Sequence, residues 1–106
     1  MDSEQTTDNM IEDMAEDTAK VPFGKHDHLY TCLGEVIKDR RKALDLSQSE
    51  LAAGAGIDRA FLSNLERGQR KPSFGTVARI ARGLKLKYSR LVAKCEKCLE
   101  DRQKSA

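Results

Sequence analysis

The 106-residue chain has no tryptophan, two tyrosines and three phenylalanines, so any core it builds must be aliphatic and modest. No apolar run approaches the ~20 residues of a bilayer-spanning helix, and no signal-peptide pattern opens the sequence. Both absences point to a cytoplasmic protein without a membrane partner. Cysteine is sparse and odd in number, at three, which suits a reducing compartment better than a disulfide-stapled scaffold. The two histidines, His26 and His28, lie near the N-terminus, and no Ser/His/Asp, Cys/His or phosphate-loop constellation occurs. An enzyme is therefore not expected, and no cofactor is implied. No internal repeat is evident.

What is present is charge, unevenly placed. The formal net charge of +2 divides into eight acids and two lysines over residues 1–27 and nine acids against seventeen Lys/Arg over residues 28–106. Between Arg67 and Arg90 there are eight basic residues and no acid. Such a surface suits a polyphosphate, whose condensed counterions are released on binding; a merely solvated surface is the plain alternative. Residues 1–30 read as an acidic, mostly disordered tail. Within it Met10 and Met14 share a helical face that would allow docking on a partner.

Helical periodicity organises the rest into an all-α bundle. Leu33, Val36, Ile37, Arg41 and Leu44 place helix 1 over about Cys32 to Leu44. Arg41 falls on the inward stripe, and a buried guanidinium needs an acid. Ser47 and Glu50 form a capping box for helix 2, whose inner face is Leu51, Ala52 and Ala55. Gly54, inside that helix, has no evident purpose. Asp58 caps helix 3, which runs to Arg67 with Gly68 as its left-handed stop. Its stripe is Phe61, Leu62 and Leu65, with Glu66 at the edge, placed to answer Arg41. Pro72-Ser73 opens helix 4, where Phe74, Val77, Ile80, Ala81 and Leu84 recur on one face. A fifth helix starts near Tyr88 and continues through Leu91, Val92, Cys95, Cys98 and Leu99, past the point where a small core is complete.

Helices 2 and 3 are hinged at Gly56-Ile57, where glycine lets the backbone turn sharply. Two short helices so joined have the form of a helix-turn-helix, whose second helix can enter the DNA major groove. Residues 33–92 resemble the lambda-repressor-like, XRE-type helix-turn-helix family. The resemblance is carried by Leu46-Ser47-Gln48, Glu50-Leu51-Ala52, Gly56-Ile57, Leu65-Glu66-Arg67-Gly68 and Pro72-Ser73. Residues 57–64 are similar to restriction–modification controller proteins of that family. It implies a compact five-helix domain that binds double-stranded DNA and regulates transcription. It also implies a buried salt bridge between Arg41 and Glu66. Two departures touch the route between helices 4 and 5. Lys85 stands where the family usually has a left-handed glycine, and Lys87 stands where a Ser or Thr would cap helix 5.

The expected organisation is a tail over 1–30, a DNA-binding domain over 31–93, and a helical extension over 94–106 that is a candidate dimerisation element. With its apolar stripe inward, helix 3 offers Arg59, Ala60, Ser63 and Asn64 to base edges: arginine suits guanine, asparagine adenine, and alanine a thymine methyl. Gln48, Arg67, Arg70 and Lys71 are the candidate phosphate contacts. A symmetric homodimer on paired half-sites is the common solution for such a short reader, and Leu91, Val92, Cys95 and Leu99 are its candidate surface. Packing back onto the same domain is the alternative. Cys95 and Cys98 have zinc-knuckle spacing, but a four-ligand set would need Cys32, His26 and His28 from a tail that folds back. No metal is expected, and the two read as apolar stripe residues, with a metal or redox switch as the alternative. A protein-interaction module, such as an antitoxin or anti-regulator gripping a partner through the tail or last helix, is the competing function.

Overall fold

A computed structural model describes residues 28–105. The acidic tail, with the Met10–Met14 pattern, lies outside the described residues. Five α-helices follow in order: α1 (Leu29–Ala43), α2 (Gln48–Ala55), α3 (Arg59–Glu66), α4 (Phe74–Gly83) and α5 (Tyr88–Ser105). α1 packs against α3 and α5, α2 against α3 and α4, and α4 against α5.

Side-chain caps start the middle helices. Ser47 Oγ accepts from the Glu50 amide at 3.0 Å while Glu50 Oε1 accepts from the Ser47 amide at 2.8 Å. These bonds hold the Glu50 carboxyl below its ordinary pKa. Asp58 Oδ2 accepts from the Ala60 amide at 3.0 Å, and Ser73 Oγ from the Thr76 amide at 3.1 Å. α1 differs. It begins at Leu29, three residues before the expected Cys32, without a side-chain cap from His28. Apolar packing sets this start instead of capping, because Leu33 is buried in the core and Tyr30 packs against it.

The first four helices all end in the same way. A left-handed residue follows each, namely Asp45, Gly56, Gly68 and Lys85. The next amide then reaches five residues back: Leu46 to the Arg41 carbonyl, Ile57 to Ala52, Gln69 to Asn64 and Leu86 to Ala81, at 2.9–3.0 Å. This is the Schellman closure. Lys85 takes the left-handed conformation at φ 58° despite its side chain, and Asp45 does so at φ 62°. Arg40 of α1 reinforces the end of α4 by donating from Nε to the Leu84 carbonyl at 3.0 Å. α5 starts without a side-chain acceptor, the Lys87 carbonyl receiving the Leu91 amide at 3.1 Å.

The core joins Leu33 and Ile37 of α1, Leu51, Ala52 and Ala55 of α2, Leu62 and Leu65 of α3, Ile80, Ala81 and Leu84, and Leu91 and Cys95 of α5. Phe74, expected on the inner stripe, is instead 74% exposed and packs its ring against Tyr88 at 4.5 Å. Two helix pairs approach through glycine. A Cβ on Gly34 would stand 2.5 Å from the Leu65 carbonyl oxygen and 2.6 Å from that of Glu66, both rigid backbone atoms. α1 therefore lies directly on the end of α3. At Gly83 a Cβ would meet Leu51 Cδ1 at 2.9 Å, so the Leu51 side chain packs directly against the backbone of α4.

Two expectations are corrected here. Cys32 and Cys98 form a disulfide, with Cα atoms 5.8 Å apart. The cysteines therefore do not fit an all-reduced set, and Cys98 is neither a plain stripe residue nor a partner for Cys95. Leu91 and Cys95 were candidates for a dimer surface, but they are 0% and 5% exposed in the core of their own domain. α5 turns that face toward α1 and α4, and their apolar side chains complete the bundle.

Candidate nucleic-acid interface

Asp58 and Gly56 fix where α3 begins and how it departs from α2, and the burial of Leu62 and Leu65 fixes its rotation. That rotation leaves Arg59 and Ala60 exposed in the first turn, with Ser63 and Asn64 half-buried one turn later. Arg67, Arg70 and Lys71 are exposed beyond the helix, and Gln48 stands half-buried at the start of α2. The eight candidate DNA contacts thus fall on α3, the segment that follows it, and the N-terminus of α2.

A hydrogen-bond chain ties this surface to the interior. Arg41 donates from Nε to Glu66 Oε2 at 2.7 Å and from Nη2 to Glu66 Oε1 at 3.1 Å, a bidentate pair in which both residues are buried. Its Nη1 donates to the Leu46 carbonyl at 2.8 Å. Hydrogen bonding to Glu66 raises the Arg41 pKa, outweighing the opposing effect of burial. Gln48 Nε2 donates to the same Glu66 Oε1 at 3.0 Å, and Arg59 Nη1 donates to Gln48 Oε1 at 3.2 Å. The amide of Gln48 is therefore engaged on both sides. Glu66 is scaffold, Arg59 is surface, and Gln48 is the link between them.

Four of the other candidates also have partners. Arg67 Nη2 donates to Asn64 Oδ1, which leaves the Asn64 amide group as its outward donor. Arg70 lies over the Phe61 ring at 5.9 Å, and Lys71 over the Tyr30 ring at 5.7 Å. These cation–π contacts hold the two charges near the end of α3. The sequence reading missed the Gln48–Glu66 bond and the role of Gly34. A glycine inside a helix can have a packing reason, but Gly54 shows the same pattern with nothing within 4 Å of an added Cβ, so the pattern alone does not single out Gly34.

Similarity to other proteins decides the family. The helix-turn-helix family model matches residues 37–91. This chain belongs to the XRE-type helix-turn-helix family of transcriptional regulators. It is 47% identical over 49 residues to the ImmF control region 10 kDa protein of Bacillus phage phi105, covering 46% of this chain and 54% of that one. The chain thus spans about half the length of that relative. Among solved structures it is similar to the restriction–modification controller protein C.AhdI of Aeromonas hydrophila. That match has a TM-score of 0.57, 32% identity, and coverage of 58% of this chain and 94% of that one. It is also similar to controller protein C.Esp1396I, solved as a tetramer with its natural 35 base-pair operator, with a TM-score of 0.58, 25% identity, and coverage of 65% and 96%. Among the described residues, no helix is long and apolar enough to cross a membrane.

Proposed function

We propose that this helix-turn-helix regulator is a sequence-specific DNA-binding protein that occupies operator DNA as a homodimer, with α3 in the major groove. The observation that carries this reading is the surface of α3. Its first turn presents Arg59 and Ala60 to solvent, and every residue from Arg67 to Arg90 is neutral or positive. Arg59, Ala60, Ser63 and Asn64 read base edges. Gln48, Arg67, Arg70 and Lys71 hold the backbone, where each neutralised phosphate adds to the salt dependence. The similar controller protein C.Esp1396I, a tetramer on its operator, supports operator binding by an oligomer. The chain has no enzymatic role in this reading.

The dimer surface is redrawn. Val92 and Leu99 remain candidates because they are half-buried and stand outside the core cluster. Val92 lines an open apolar groove with Leu29, Tyr30, Phe74, Val77 and Tyr88. Apolar surface of this kind suits the centre of a subunit interface.

Selection of bound duplexes from a random pool, at two salt concentrations, tests the proposal. A palindromic sequence enriched at both concentrations is the expected result. Unenriched DNA that is lost as salt rises would reduce the interaction to backbone attraction and overturn sequence-specific reading.

A further inference from the structure

The disulfide lies outside the part of the chain that the family model matches: Cys32 precedes residues 37–91 and Cys98 follows them. The helix-turn-helix unit is packed by Ile37, Leu51, Leu62, Leu65, Ile80, Leu84 and Leu91 without help from the bond. What the bond holds is the C-terminal half of α5. Among residues 96–104 none is buried, and Cys98, Leu99 and Arg102 are half-buried. Apolar burial therefore does little to fix these turns. Two ties join them to α1: the Cys32–Cys98 bond, and the ion pair between Arg102 and Glu35. The ion pair is partly solvated, and such pairs hold weakly on their own.

The two sulfurs differ in access. Cys32 is 0% exposed, whereas Cys98 is half-buried with Sγ 3.8 Å from Glu35 Oε1 near the protein surface. Cys95, one turn earlier on the same helix, is a free thiol buried in the core. Only Cys98 offers a route for a small reagent.

We propose that Cys32 and Cys98 form a redox latch that fastens the C-terminal half of α5 to α1, closed by a small-molecule disulfide such as oxidised glutathione and opened by a dithiol. In closing, the Cys98 thiolate attacks the small disulfide and expels one thiol. Cys32 then attacks the resulting mixed disulfide at the Cys98 sulfur and expels the second. Two protein thiols lose two protons and two electrons, and the small disulfide is reduced to two thiols. Opening by a dithiol reverses the exchange. The latch makes the mobility of α5 depend on redox state while α2 and α3 stay folded.

The test uses the full chain, equilibrated with oxidised glutathione or with excess dithiothreitol. Thiols are counted after denaturation, and amide hydrogen exchange is followed by mass spectrometry. The expected result is one free thiol per chain when oxidised and three when reduced, from the three cysteines present. Reduction should speed exchange at residues 97–104 about tenfold or more while the α2 and α3 amides keep their protection. Cys98→Ser should show fast α5 exchange in both buffers, and Cys95→Ser should respond like the parent. Three thiols in oxidised glutathione, or α5 exchange that ignores reduction, would overturn the latch. A Cys95→Ser chain that no longer responds would overturn the assignment of the pair. Because no DNA enters these measurements, their failure is separate from failure of the proposed function.

Discussion

Gln48 Nε2 donates to Glu66 Oε1 at 3.0 Å, so the residue that opens α2 shares its acceptor with the buried Arg41. Glu66 consequently receives three side-chain hydrogen bonds, two from Arg41 and one from Gln48. Removing either member of the Arg41–Glu66 pair leaves an uncompensated buried group. Arg41→Met or Glu66→Leu should cost about 3–5 kcal/mol in urea unfolding. The double replacement should recover much of that loss, because a well-packed apolar pair can substitute for a buried ion pair. Single changes costing well under 1 kcal/mol would show that the pair is solvated.

That bridge illustrates what could be read from the sequence. Arg41 interrupts an apolar helical stripe, and a lone charge on a buried face demands a partner. The capping residues Ser47, Asp58 and Ser73 and the turns at Gly56 and Gly68 were legible for a similar reason: each acts on backbone a few residues away. Relations across the bundle were not. Cys32 and Cys98 are 66 residues apart, and neither helical period says which cysteine faces which. Leu91 and Cys95 have the same spacing whether their stripe meets α1 or a second copy. Phe74 satisfies the periodicity of α4, yet it lies at the start of the helix, on the rim rather than in the core.

Arg59 and Lys71 should separate sequence reading from backbone attraction. Arg59→Ala is expected to cost about 1–3 kcal/mol on the selected operator and to relax preference at one position. Lys71→Ala should weaken all duplexes alike and reduce the salt slope by about one unit. Anisotropy titrations on the operator and on scrambled DNA, across a salt series, measure both. Arg59 also leans on Gln48, so Gln48→Ala and Arg59→Ala should be non-additive in a double-mutant cycle. If both single variants scale affinity down on all sequences equally, the division of roles fails.

Gly34 and Gly54 are both inside helices but should respond oppositely to alanine. At Gly34 a Cβ would collide with the Leu65 and Glu66 carbonyls. Gly34→Ala should push α1 away from α3 and destabilise by roughly 1–3 kcal/mol. A Cβ on Gly54 meets nothing within 4 Å, and its backbone is helical. Gly54→Ala should therefore stabilise by about 0.5–1 kcal/mol, chiefly by restricting the unfolded chain. Thermal or urea unfolding of the two variants decides it, and the same sign for both would refute the contrast.

Burial pushes the Cys95 thiol up to about 11 from 9.0, with Glu96 adding to the effect. Between those values the unfolded chain releases a proton that the folded chain retains, so the unfolded state gains stability as pH rises. The Cys95 contribution is fully present below about pH 9 and is lost as pH approaches about 11. The loss is on the order of 3 kcal/mol. The informative quantity is the difference between parent and Cys95→Ala. The parent should lose more stability across that window in urea titrations. Parallel curves would mean that Cys95 titrates alike in both states.

Lys85 occupies the left-handed position after α4 at φ 58°, where the Leu86 amide reaches the Ala81 carbonyl at 2.9 Å. An L-residue pays roughly 1–2 kcal/mol to sit there, and glycine does not. Lys85→Gly should raise stability by about 1 kcal/mol, part of the gain being offset by glycine's greater freedom in the unfolded chain. Asp45→Gly should gain less, because a short polar side chain tolerates this region better. Gly68 supplies the opposite sign. At φ 76° a Cβ there would also meet Thr31 Cα at 3.1 Å, so Gly68→Ala should destabilise by more than 1 kcal/mol. Urea midpoints for the three variants should rank Lys85→Gly above Asp45→Gly, and both above Gly68→Ala. A Lys85→Gly variant no more stable than the parent would mean that the lysine stem makes packing contacts worth as much as the backbone conformation costs.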